Sequence, residues 1–298
     1  MSQSENLVKL LDNQPIVKVC GAYDAMSAKL VELSGFDAVW AGSFAISAIH
    51  NVPDASILTM TEFFTAASNM AHTCKIPIIA DCDTGYGDAT NVRYMVKKYE
   101  NAGIAGICIE DKTFPKQNSL LEGGNNQLLS EKDFAAKILA ANEAKQNKAF
   151  TIIARIEALI SGIGIEQALK RAYAYEKAGA DLILIHSKKI TPEEIFEFSD
   201  SWKGSAPLVV IPTTYYSVNV DELIEHKIKM VIYANQTLRA AHFALSKLLE
   251  QMKSANNMSQ LQNQMSSMDD IFKLQEMYDM KSQEKSIEEK LRKLGYIS

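Results

Sequence analysis

Eight short, nearly continuous apolar runs recur between residues 16 and 235 of the 298-residue chain. Runs that lack polar alternation are typical of parallel strands that are buried on both faces of a sheet. We therefore interpret each run as one strand. The runs occupy residues 16–24, 37–43, 77–85, 106–111, 150–158, 181–187, 207–213 and 230–235.

Helical patterns of apolar positions lie between these runs, and several end in a glycine shortly before the next strand, at Gly35, Gly103 and Gly179. A glycine in this position is a common helix stop signal. Eight strand–helix units in about 240 residues match the size of a (β/α)8 barrel. A doubly wound open sheet is the alternative, but it rarely needs eight strands at such even spacing.

The composition and the hydrophobic pattern of the chain change near residue 254. Residues 254–267 are polar and indicate a linker or a frayed helix, whereas residues 268–298 return to a helical pattern. An apolar stripe runs along that pattern through Ile271, Leu274, Met277 and Tyr278. We predict a barrel domain at 1–253 followed by a C-terminal helical extension at 254–298.

Composition and net charge argue against some classes of binding partner. The formal net charge is −5 and no stripe of lysine and arginine is present, which argues against nucleic-acid binding. The four cysteines form no C-x-x-C pair, which is typical of a reducing cytoplasm. The sequence shows neither a signal-like apolar core nor 18 uninterrupted apolar residues, so we expect no membrane association.

Polar residues cluster where the predicted strands end, which is the catalytic face of a (β/α)8 barrel. Asp81 and Asp83 end the third run and Glu110 ends the fourth. Carboxylates at close range repel one another, and a hard divalent cation such as Mg²⁺ relieves that repulsion. The sequence therefore predicts a magnesium site, with capping or turning of the following loop by Asp83 as the structural alternative.

Arg155 and His186 provide positive charge and hydrogen bonds at the ends of the fifth and sixth runs. A guanidinium fork matches phosphate or carboxylate oxygens, so Arg155 is a candidate substrate ligand. The alternative for Arg155 is a buried ion pair with Glu157, and the alternative for His186 is a hydrogen-bonded core histidine.

The segment after the fourth run, residues 112–127, is long for a connection between strand and helix and is rich in Gly and Asn. Long loops at the catalytic face are often lids. Lys116 and Asn118 would then reach a ligand, whereas an ordinary exposed loop is the alternative.

Several longer motifs resemble the phosphoenolpyruvate mutase/isocitrate lyase superfamily, and its mutase branch in particular. The resemblance covers nearly the whole chain. The motifs are VPDAS (52–56), DCDTGYG (81–87), EDKTFPKQNS (110–119), ARIEALISG (154–162), HSKK (186–189), VIYANQTLRAA (231–241) and DDIFKLQ (269–275).

The resemblance implies an α/β barrel whose terminal helix is exchanged between subunits of a homodimer or homotetramer. It also implies a Mg²⁺ ion held directly by Asp81, and through water by Asp54, Asp83 and Glu110.

On the substrate side, the resemblance implies that Arg155 contacts the substrate and that His186 lies near the transferring phosphoryl group. The loop that carries Lys116, Asn118 and Ser119 is expected to close over them.

The implied reaction interconverts phosphoenolpyruvate and phosphonopyruvate. Lyases of the superfamily carry a Cys-Gly-His in the loop, which this chain lacks. A phosphonopyruvate hydrolase remains the alternative, although hydrolases tend to have Thr where Asn118 stands. A catalytically silent barrel that senses a ligand is a third reading, which the complete carboxylate set disfavours.

One segment departs from the family pattern. Members usually read Trp-Gly/Ala-Ser-Gly after the second strand, where the serine and backbone N–H groups bind substrate, whereas this chain reads Trp40-Ala41-Gly42-Ser43-Phe44. Backbone donors at Ser43 and Phe44 can survive this exchange, while the hydroxyl at position 42 is lost. We expect the exchange to affect substrate contacts beside Trp40 rather than the metal site.

Overall fold

The computed structural model, which describes residues 1–297, contains a closed barrel of eight parallel strands arranged in chain order. The predicted fold class is therefore confirmed, and each strand overlaps its predicted apolar run. The strands are β1 (Val17–Ala22), β2 (Ala38–Ala41), β3 (Ile78–Asp81), β4 (Gly106–Glu110), β5 (Thr151–Ile156), β6 (Leu182–Ile185), β7 (Leu208–Val210) and β8 (Ile228–Tyr233).

Helices connect the strands, and several of them begin at polar caps. Asp24, Asp88 and Ser130 accept hydrogen bonds from the first-turn N–H groups of α2, α5 and α6. The helices are α1 (Gln3–Asn13), α2 (Ala25–Leu33), α3 (Ser43–Ile49), α4 (Met60–Thr73), α5 (Ala89–Asn101), α6 (Glu131–Ala144), α7 (Gly164–Lys177), α8 (Glu193–Ser201), α9 (Val220–Glu225), α10 (Gln236–Ser254), α11 (Met268–Leu274) and α12 (Met277–Lys293), with a 3-10 helix at Ser259–Gln264.

The interior of the barrel is filled with side chains. Val19, Ile79, Ile153 and Met230 from different strands pack there, and Leu7 of α1 joins the same fully buried cluster. The side chain of Gln3 in α1 also bonds the backbone at the start of β3. Since α1 covers the amino ends of the strands, the carboxyl ends remain for a ligand, as in other barrels of this type.

The chain divides into two compact units, Met1–Arg239 and the part from Ala240 onward, and the division falls inside α10. The domain boundary that we expect near residue 253 stays a prediction. The helical pattern expected at residues 268–298 contains two helices, because Glu276 adopts a left-handed backbone with φ of 55° between α11 and α12. In residues 1–297, no helix is long and apolar enough to cross a membrane.

Large apolar side chains are exposed on α12 and beyond it. Tyr278 is 54% exposed, Ile287 is 57% exposed and Leu294 is 70% exposed. Contiguous exposed apolar surface often marks a contact with another protein. This observation favours the predicted exchange of C-terminal helices between subunits, which remains a prediction.

We expect a chain truncated after residue 255 to lose its oligomeric state, because the truncation removes this apolar surface. Light scattering coupled to size-exclusion chromatography should show smaller or aggregated species. A well-behaved oligomer of the original subunit number would contradict the prediction.

Candidate active site

A cavity of about 710 Å³ opens at the carboxyl ends of the barrel strands. All but one of the residues predicted from the sequence line it. They are Trp40, Ser43, Phe44, Asp54, Asp81, Glu110, Lys116, Asn118, Ser119, Arg155 and His186. Asp83 is the exception, and its carboxylate contacts Lys116, which does line the cavity.

Strand register explains why these distant residues meet. Asp81 is the last residue of β3, Glu110 is the last residue of β4, and His186 directly follows β6. Glu110 pairs in register with Arg155 on β5, so the two side chains start from the same level of the barrel. Parallel strands end at one edge, which brings the polar groups together.

The apolar pattern suggested that Asp83 lies on the third strand. It lies instead two residues past the end of β3, with a positive φ of 48°. Left-handed backbone at a non-glycine residue is uncommon, and Asp tolerates it better than most residues. Asp83 also does not cap the next helix, because Asp88 caps α5. The capping alternative is therefore wrong.

Lys116 from the loop after β4 lies between two carboxylates. Its Nζ is 2.5 Å from Asp54 Oδ1 and 3.1 Å from Asp83 Oδ1. Burial raises the pKa of the Asp83 carboxyl to about 6, although Lys116 opposes the shift. Burial disfavours the Lys116 cation, but Asp83 and Asp54 outweigh it and raise the pKa of the ammonium. The loop therefore contributes a permanently charged cation to the site.

The side chain of Asn118 also holds this loop in place, through one contact to Asp54 and one within the loop. Its Nδ2 donates to Asp54 Oδ2 at 2.8 Å, and its Oδ1 accepts from the backbone N–H of Leu120 at 3.0 Å. The Lys116 backbone N–H also donates to Ser56 Oγ at 3.0 Å. The loop thus covers the cavity in this structure, as a closed lid would.

A fully buried glutamate, Glu157, organises the cationic side of the site. Its Oε1 lies 2.6 Å from Arg155 Nε and 2.8 Å from His186 Nδ1, and its Oε2 accepts from Ser119 Oγ at 2.5 Å. Lys112 Nζ donates to Ser119 Oγ at 2.6 Å and lies 3.5 Å from Glu157 Oε2. The alternative of an Arg155–Glu157 ion pair is thus realised, and Arg155 still lines the cavity.

The Glu157 network sets the charge states around it. Burial opposes the Glu157 anion, but Arg155 and His186 outweigh it and lower the pKa of that carboxyl well below its usual range. Burial lowers the pKa of His186. His186 Nδ1 lies 2.8 Å from Glu157 Oε1 and 2.9 Å from Arg155 Nη2, so a neutral ring either donates from Nδ1 to the carboxylate or accepts there from the guanidinium. Both contacts occupy Nδ1 and leave Nε2 for a ligand.

Glu110 supplies the main evidence that a cation fits. Burial raises the pKa of Glu110 to about 7 against the effect of Arg155, whose Nε lies 3.3 Å from Glu110 Oε2. Within residues 1–297, Glu110 Oε1 is buried and has no hydrogen-bond partner. No group of three or more His, Cys, Asp or Glu side chains in these residues is placed to ligate one ion together. An ion with few direct protein ligands and several waters, such as Mg²⁺, suits this arrangement.

Sequence reasoning left several residues out of the site. Glu157 and Lys112 lie just past the ends of β5 and β4, and they bond Arg155, His186 and Ser119 of the cavity lining without lining it themselves. Thr213 ends the seventh apolar run and Arg239 lies in the first turn of α10, and both line the cavity. Position at a strand end would have identified Thr213, whereas nothing in the local pattern distinguishes Arg239.

Comparison with known proteins places these features in a family. Residues 7–253 match the family model described as phosphoenolpyruvate phosphomutase. A phosphonopyruvate hydrolase from a Variovorax species is 40% identical over 92% of this chain and 95% of its own length. A phosphoenolpyruvate phosphomutase from Tetrahymena pyriformis is 37% identical over 95% of this chain and 94% of its own length.

Solved structures that are similar to this chain include proteins named for the same two activities. The crystal structure of a phosphoenolpyruvate phosphomutase from Streptomyces platensis has a TM-score of 0.93 and 42% identity, and the match covers 95% of this chain and 98% of that one. A phosphonopyruvate hydrolase in complex with oxalate and Mg²⁺ has a TM-score of 0.89 and 38% identity, with the same coverage.

We expect Glu157→Gln to lower the free energy of unfolding by about 3 kcal/mol, because it leaves the buried Arg155 and Lys112 cations with too little counter-charge. Thermal unfolding at fixed protein concentration should show a fall in Tm of several degrees. Glu143→Gln is the matched control, since it removes a half-exposed partner of Arg93 and should cost less than about 1 kcal/mol. Equal shifts in the two variants would contradict the prediction.

Proposed function

Because the chain belongs to the phosphoenolpyruvate phosphomutase family, we propose that it is a Mg²⁺-dependent mutase that interconverts phosphoenolpyruvate and phosphonopyruvate. We further propose that it works as a cytoplasmic homodimer or homotetramer. The placement of Asn118 over the cavity, in contact with Asp54, is the observation that carries the choice of a mutase.

The charges of the site suit a small polyanion. Arg155 and Lys116 are cations whose pKa values are raised, and both line the cavity. Asp81 would hold Mg²⁺ directly, with Asp54, Asp83 and Glu110 held to it through water. When bound, the ion supplies positive charge to the oxygens of the pyruvyl group and favours its enolate form.

The transfer itself breaks one bond to phosphorus and forms another. From phosphonopyruvate, the bond between phosphorus and carbon 3 breaks, and the enolate oxygen then bonds to phosphorus without net proton transfer. Such a transition state is loose, so the protein acts mainly by positioning groups and stabilising charge. Arg155 donates to the phosphoryl oxygens, and His186 and Asn118 hold the group while the enolate presents its other end.

Water must be kept out while the group is in transit, because water would capture it as phosphate. Asn118 supports this role, since both ends of its amide are hydrogen bonded in the closed loop. A threonine has one hydroxyl oxygen, one bond closer to the backbone, in place of two separate amide atoms, so both contacts would have to be made from that single atom. The amide therefore fills space that a shorter side chain would leave to water.

Phosphonopyruvate hydrolase is the second candidate. The curated hydrolase is 40% identical to this chain and the Tetrahymena mutase 37%, so overall identity favours neither reaction. The hydrolase would use the same residues but let water attack phosphorus, and carbon 3 of the enolate would take up a proton. A lyase is disfavoured because residues 112–127 contain no cysteine to act as an acid.

The two reactions give different phosphorus products. We expect the purified enzyme with Mg²⁺ to convert phosphonopyruvate to phosphoenolpyruvate, which phosphorus NMR resolves from inorganic phosphate. If phosphate accumulates from the first time points and phosphoenolpyruvate is absent, the mutase assignment is wrong and the hydrolase replaces it. If neither product forms, the substrate class is wrong.

Replacing the proposed metal ligand should stop the reaction. We expect Asp81→Asn to abolish turnover even in saturating Mg²⁺, because an amide is a weaker ligand and carries no charge. Circular dichroism should remain unchanged, since asparagine has the same size as aspartate and keeps an oxygen that can accept the hydrogen bond from Ser43. Near-normal turnover by this variant would contradict the metal assignment.

Asn118 should control how much of the phosphoryl group ends in phosphoenolpyruvate and how much ends in inorganic phosphate. We expect Asn118→Thr to slow the rearrangement by about tenfold or more and to release some phosphate, because it loses the contact with Asp54. Phosphorus NMR of the same reaction measures both rates. Gln127→Thr is the control, since it changes an amide in the same loop that does not line the cavity. An unchanged ratio of products would argue against a role for Asn118.

A further inference from the structure

Ser43 makes a contact that the family pattern does not predict. It is the first residue of α3, its side chain is buried, and its Oγ donates to Asp81 Oδ2 at 2.9 Å. The Ser43 backbone N–H lies 3.3 Å from the same oxygen. Two donors from one residue therefore converge on one oxygen of the proposed metal ligand.

These contacts leave the two oxygens of Asp81 in different environments. Oδ2 is held by Ser43, whereas Oδ1 has only the Asp83 backbone N–H at 3.4 Å, close to the limit for a hydrogen bond. A hydrogen bond to one oxygen of a carboxylate fixes its rotation and leaves the other oxygen available to a cation. Outer hydrogen bonds of this kind tune how well a ligand binds its metal.

The order of residues 42 and 43 has a local steric reason. A Cβ atom added at Gly42 would lie 3.0 Å from Trp40 Cδ1 and 3.1 Å from Trp40 Nε1. A serine at position 42 would thus require the indole of Trp40 to shift. The hydroxyl is accommodated at position 43, where it meets Asp81 instead.

We propose that Ser43 is a positioning residue of the divalent-cation site, because its hydroxyl sets the orientation of the Asp81 carboxylate. The proposal rests on the proposed function in one respect, that Asp81 is a direct ligand of the cation. It gives the exchanged Gly42-Ser43 pair a role in metal binding, rather than in contacting the substrate.

Binding of Mn²⁺ to the full-length enzyme, followed by electron paramagnetic resonance, tests the proposal without turnover. We expect Ser43→Ala to raise the Kd for Mn²⁺ by about 10- to 100-fold, as removal of an outer hydrogen bond to a metal ligand does. Ser47→Ala is the matched control, because Ser47 is equally buried on α3 but does not line the cavity. It should bind Mn²⁺ like the unmodified enzyme.

A Kd in Ser43→Ala within twofold of that in Ser47→Ala would overturn the proposal. Unchanged Mn²⁺ binding with weaker binding of oxalate would also overturn it, since the hydroxyl would then serve the substrate. Asp81→Asn separates the two levels of inference. If that variant binds Mn²⁺ normally, the metal assignment under the proposed function fails. If it loses Mn²⁺ while Ser43→Ala keeps it, only the role of Ser43 fails.

Discussion

The balance of buried negative charge at the carboxyl end of the barrel is the constraint on which the rest of the site depends. Asp83, Glu110 and Glu157 are all buried there, and a buried carboxylate is stable only when it is paired or protonated. Arg155 on β5 contributes one positive charge. Lys112 and Lys116, in the loop after β4, contribute two more, so the loop balances charge as well as covering the cavity.

Loop closure and cation binding are coupled through this balance. Lys116 contacts Asp54 and Asp83, two of the carboxylates that would hold Mg²⁺ through water. A bound ion and Lys116 would therefore be attracted to the same carboxylates and would repel each other. This repulsion would limit how many carboxylates the ion can contact directly. This favours a site with one direct protein ligand, Asp81, over a closed cage of carboxylates.

The sequence predicts the barrel and most of the site because both follow from simple repeating rules. Buried parallel strands give apolar runs, and polar residues that end those runs must meet at one edge, as Asp81, Glu110 and His186 do. Contacts that depend on the path of a loop do not follow from such rules. The left-handed backbone of Asp83, the bond from Ser43 to Asp81 and the break at Glu276 each depend on conformation that single-residue patterns do not specify.

The barrel alone does not decide between mutase and hydrolase. Arg155, His186 and the carboxylates would stabilise phosphoryl transfer to either acceptor, because the charge on the phosphoryl oxygens is the same in both transition states. The acceptor depends on whether a water can approach phosphorus from the loop side. The cavity wall on that side is formed by six residues of the loop, Lys116, Gln117, Asn118, Ser119, Leu120 and Leu121. Lys116 and Asn118 bond Asp54, Ser119 bonds Glu157 and Gln117 bonds Asn125, whereas a water needs about two to four polar partners to be held. The proposed return of the phosphoryl group to the enolate therefore depends on how well this wall excludes water, which overall identity to either relative does not measure.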